Sequence, residues 1–72
     1  MLSFNIDNAG KTIQLACDEL GVATLLTALE KVRNSGGHLH LCAPSSGGHE
    51  LSEQTPWGSK AIGEVIITWA GE

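Results

Sequence analysis

The chain has 72 residues, room for one domain spanning 1–72 and no second core, because chains this short bury only about 60% of their unfolded surface. A hydrophobic fraction of 42% with 17% charged residues is too apolar for intrinsic disorder, and no apolar run reaches the roughly 18 residues of a membrane span. Four Lys and Arg against eight Asp and Glu leave a net charge of −4, which lacks the phosphate neutralisation of nucleic-acid binders and points to a basic protein partner.

The first eighteen residues read as a hairpin, with Leu2, Phe4 and Ile6 alternating with Ser3 and Asn5, and Ile13, Leu15 and Cys17 alternating with Thr12, Gln14 and Ala16. Asp7 and Gly10 suit the ends of a type I turn. A loop of Asn8 and Ala9 alone sets Phe4 opposite Ile13 and Leu2 opposite Leu15, with one face apolar. Asp18 is placed to cap a helix, and Glu19 then favours its positive end. Val22, Leu25, Leu26, Leu29 and Val32 fall on one stripe expected to be buried, and Gly36 or Gly37 ends the helix. Gly21 near its start has no explanation at this level.

His38-Leu39-His40-Leu41-Cys42 alternates strictly, so the two leucines share one strand face and His38, His40 and Cys42 the other. Residues 43–48 are a turn by composition, His49-Glu50-Leu51 reads as a short return strand, and residues 52–60 as a loop. The last strand is expected over Ile62–Ala70, buried on both faces at Val65-Ile66-Ile67, with Trp69 in the core. The fold class is α+β, in the order β-β-α-β-β, as a four-stranded sheet with one helix on one face. The opposite face, carrying Ser3, Asn5, Thr12, Gln14, His38, His40 and Cys42, is expected to be wet. The order resembles the β-grasp architecture of ubiquitin-like domains, which implies first and last strands parallel in the middle of the sheet.

The N-terminus has neither a basic region nor a long apolar stretch of a signal peptide, so the expectation is a cytoplasmic protein with both thiols reduced. Three readings of the histidine strand stay open. His40, Cys42 and His49 have the residue types of a zinc site, although strand spacing puts His38 and Cys42 about 13 Å apart; a partner contact is the second reading, and ordinary outward polar residues the third. Cys42 beside His40 or His49 is the one nucleophile–base pairing. Without an oxyanion-hole signature, and with little volume for a pocket of about 300 Å³, the chain is read as non-catalytic, with no cofactor and no metal. Trp57, after Pro56, serves either as a binding anchor or as a plug for the open end of the core.

Read together, the Leu-rich helix over 18–32, Gly37-His38-Leu39-His40-Leu41, Pro44-Ser45-Ser46-Gly47-Gly48, Glu50-Leu51 and a final strand ending in Trp69 resemble the thirty-second family of immunity proteins from bacterial polymorphic toxin systems. The resemblance implies a bacterial cytoplasmic protein that binds and neutralises a cognate toxin domain. The partner-binding residues expected on these grounds are His38, His40, Glu50 and Trp57. The alternative is a homo-oligomeric accessory or structural module whose open sheet face pairs with itself; neither reading involves nucleic acid or membrane.

Overall fold

In the computed structural model of the chain, which describes residues 1–71, β1 (Leu2–Ile6) and β2 (Ile13–Cys17) form an antiparallel hairpin. Its register differs from the expected one: Phe4 lies opposite Leu15, and Leu2 opposite Cys17. Asp7 is the cause. Its Oδ1 accepts the backbone N–H groups of Lys11 at 2.8 Å and Thr12 at 3.1 Å, while the Gly10 N–H closes the turn on the Asp7 carbonyl at 2.9 Å. The carboxylate thus satisfies a loop longer than Asn8 and Ala9 alone. Because strand side chains repeat every two residues, a slip of two preserves the apolar face.

The helix α1 (Glu19–Ser35) begins at Asp18, whose side chain accepts the Gly21 N–H at 2.9 Å and also pairs with the N-terminal ammonium of Met1. Gly36 ends it in the left-handed conformation, its N–H bonded to the Val32 carbonyl. Gly21 now has its reason: a Cβ there would lie 1.9 Å from the Met1 carbonyl oxygen and 2.9 Å from the Cys17 Cβ. The buried stripe is Gly21, Ala28 and Val32 with part-buried Leu25, whereas Val22, Leu26 and Leu29 are exposed. The expected stripe was therefore rotated, because small residues let this side of the helix approach the strands closely.

The strands β3 (His38–Cys42) and β4 (Glu64–Thr68) form a second antiparallel hairpin, pairing His38 with Thr68, His40 with Ile66 and Cys42 with Glu64. The class and the β-β-α-β-β order are those expected; the strands, however, make two two-stranded sheets and not one sheet of four. β1 and β4 do not pair as the β-grasp order implies. Instead, backbone bonds from Ser52 N–H to the Leu2 carbonyl and from Ile62 N–H to the Phe4 carbonyl occupy the second edge of β1. Residues 49–51 make no strand, and the chain turns through a short 3-10 segment at Pro44–Ser46.

Leu2, Ala28, Leu41, Ala43 and Leu51 form the buried core, with Phe4, Leu25, Leu39, Val65 and Ile67 packed against it. The helix thus rests on the inner faces of both hairpins. Ile66 points the other way and is 53% exposed, so β4 is covered on one face only, and Trp69 lies outside the core, next to Gly36 and Gly71. Ser3 and Asn5 also depart from expectation: Ser3 is buried, and the Ser3 Oγ and Asn5 Oδ1 are enclosed without a hydrogen-bond partner. The edge contacts from Ser52 and Ile62 bring the 52–62 segment over this part of β1, which alternation within the strand could not disclose.

Candidate functional site

Strict alternation in β3 puts His38, His40 and Cys42 on the outer face of the second hairpin, as expected, with Glu64, Ile66 and Thr68 opposite them. The His38 and His40 rings meet edge to face with centroids 5.2 Å apart. His40 Nδ1–H donates to Glu64 Oε2 at 2.8 Å, since a carboxylate can only accept, and the Cys42 thiol donates to the same oxygen at 3.6 Å. The bond from His40 holds the Glu64 carboxyl below its ordinary range. Desolvation, reinforced by the Glu64 charge, pushes the Cys42 thiol up. A thiol held protonated beside a carboxylate is the reverse of an activated nucleophile.

Glu50 is fixed by the chain around it. Its Oε1 accepts the Cys42 N–H at 3.1 Å and its Oε2 the His49 N–H at 3.0 Å; these two bonds, that from His49 first, lower its pKa. Gly48 makes this return possible, because a Cβ there would sit 2.6 Å from the Cys42 Cβ and 2.8 Å from the Cys42 carbonyl oxygen. The Gly-Gly turn is therefore a close-approach device that brings His49 and Glu50 back beside β3. His49 itself projects into solvent, with Nδ1 3.3 Å from Glu50 Oε2.

Between this return segment, β3 and α1 runs an open groove of about 490 Å³. Leu20, Ala23, Leu39 and Leu41 give it apolar walls, while Thr24, Thr27, Lys31, His40, His49 and Glu50 supply polar groups. Concave apolar walls with a few polar groups are the usual make-up of a ligand or peptide site. The groove exceeds the small volume expected from chain length, because α1 and the free edge of β3 stand apart. Cys42 is not among its lining residues. Among the described residues no three His, Cys, Asp or Glu side chains converge as metal ligands, and Cys17 and Cys42 are both free thiols on different sheets.

Of the four residues expected to contact a partner, His40 and Glu50 line this groove and His38 adjoins His40 on the outer face. Trp57 stands apart. It sits in a turn closed by Gly58 N–H to the Thr55 carbonyl, by Thr55 N–H to the Ser59 carbonyl and by a bridge from Gln54 to Lys60, and it is 62% exposed. The core-plug reading of Trp57 is thereby excluded. Sequence reasoning missed the helix wall of the groove, because Leu20, Thr24, Thr27 and Lys31 mix apolar and polar types and form no stripe.

Compared with models of known protein families, with curated proteins and with solved structures, the chain finds no match in any of the three.

Proposed function

We propose that this chain is a non-catalytic protein-binding domain, and specifically a cytoplasmic bacterial immunity protein that neutralises a cognate toxin. The observation that carries the binding reading is the convergence of His40 and Glu50 on one open groove with apolar walls. A partner side chain entering there buries apolar surface between Leu20 and Leu39, while the imidazole and the threonine hydroxyls supply hydrogen bonds at the rim, the division of labour usual at interfaces. The Glu50 carboxylate is pre-positioned by two backbone donors, so little side-chain entropy is lost when a partner docks against it. A net charge of −4 favours a basic partner through faster encounter. No helix of the described residues is long and apolar enough to cross a membrane.

The immunity assignment adds the resemblance of Gly37–Leu41, Pro44–Gly48 and Glu50-Leu51 to the immunity family. Its test is the gene neighbourhood, where a toxin-like reading frame is expected beside the chain's own gene, followed by co-expression of the two. Rescue of growth and recovery of a complex are expected, and His40→Ala weakens both. Equal cell death with and without this protein, and no complex, refutes the assignment.

A further inference from the structure

We propose that the free edge of β2 pairs with the same edge of a second copy of this chain, joining the two β1–β2 hairpins into one continuous antiparallel sheet across a dyad at Leu15. In an antiparallel ladder, alternate residues direct their backbone N–H and C=O to one neighbour and then to the other side. The Asp7 N–H bonds to the Thr12 carbonyl and the Asp18 N–H to the Met1 carbonyl. With the hairpin register, these bonds assign the pairs Asn5–Gln14 and Ser3–Ala16 to the β1–β2 ladder. The N–H and C=O of Ile13, Leu15 and Cys17 therefore point out of the hairpin, and no backbone group of the described residues meets them there.

Natural edge strands are usually blunted by a charge, a proline or a bulge. β2 reads Ile-Gln-Leu-Ala-Cys and has none of these, and Ile13 and Leu15 are 66% and 46% exposed. The occupant follows from the register. A dyad at Leu15 sets Leu15 against itself and Ile13 against Cys17 of the second copy, so every outward donor meets an outward acceptor. It also sets apolar side chains against the same apolar set. An isologous contact of this kind closes at two copies. β3 cannot do the same about His40, because Cys42, which would face His38 of the second copy, already gives its N–H to Glu50 and its carbonyl to the Leu51 N–H.

This pairing uses β2, away from the groove, and does not depend on the immunity reading. Sedimentation of the purified full chain, followed up to about 1 mM, is expected to show a reversible dimer. Leu15→Lys sets two ammonium groups at the dyad, and Leu15→Pro removes only the outward donor while sparing the β1–β2 ladder. Both variants are expected to remain monomeric with an unchanged circular dichroism spectrum. A wild-type chain that stays monomeric at about 1 mM, or a Leu15→Lys variant that dimerises like wild type, overturns the proposal. None of these readouts involves a toxin, so their failure leaves the immunity assignment standing.

Discussion

Gly21 and Glu50 show how far single positions in this chain are fixed by close approach and not by local propensity. Ala ordinarily exceeds Gly by about 1 kcal/mol inside a helix, yet Gly21→Ala is expected to destabilise the fold by about 2 kcal/mol, because the new Cβ meets the Met1 backbone and not a movable side-chain end. Urea unfolding of the two proteins checks the sign. Acid acts through the carboxylates. Asp7 is held ionised by the Thr12 and Lys11 N–H groups, Asp18 by the N-terminal ammonium and the Gly21 N–H, Glu50 by the His49 and Cys42 N–H groups, and Glu64 by His40. All four folded-state pKa values lie below the ordinary 3.8 of Asp or 4.5 of Glu. As pH falls through this range the unfolded chain binds protons first, so the stabilisation present above the ordinary values is lost progressively below them. Unfolding free energy is therefore expected to level off above about pH 5 and to fall in acid, with a shallower acid limb in Glu50→Gln. An equally steep limb in that variant removes Glu50 from the account.

At the scale of elements, α1 separates what patterning reveals from what it hides. Val32→Ala, on the buried stripe, is expected to cost about 2 kcal/mol, whereas Leu29→Ala, on the exposed flank, costs under about 1 kcal/mol in the monomer, a contrast that thermal or urea unfolding resolves. The sequence pattern ranked these two residues together, because hydrophobic periodicity weighs bulky side chains, and the closest packing here is at Gly21 and Ala28. The alternation of β3 was legible in full: Leu39 and Leu41 turn inward, and His38, His40 and Cys42 outward. In β4 the same rule was overruled by the Val-Ile-Ile run, which suggested two covered faces although one isoleucine faces solvent. The hairpin register depended on a side chain, Asp7, that rewarded a longer loop. The separation into two sheets depends on the 52–62 segment, whose Ser52 and Ile62 N–H groups take the edge of β1 that another strand would otherwise use. Such single bonds from irregular chain carry no periodic signal. Likewise His40 and Glu50 could be named as contacts from sequence, while the groove that unites them is made by tertiary packing.

At the scale of the whole molecule, binding and folding can be separated experimentally because the exposed groups are largely distinct from the core. Trp57 is the sharpest case. Its turn is closed by bonds among Thr55, Gly58 and Ser59, none of which uses the indole. Removing the ring therefore leaves folding stability within about 0.5 kcal/mol of wild type, as for other surface substitutions. If Trp57 is an anchor of the proposed toxin contact, Trp57→Ala lowers affinity for the co-expressed partner by about 2 kcal/mol or more, seen as faster dissociation. Glu30→Gln, an exposed charge on the same helix as the groove wall, serves as the contrast: it slows association and weakens its salt dependence, with little change in dissociation. Paired measurements of unfolding and binding kinetics distinguish the outcomes. Loss of stability in Trp57→Ala contradicts the exposed placement of the ring, and unchanged stability with unchanged affinity places the interface elsewhere, leaving the groove at His40 and Glu50 as the surface where binding is sought.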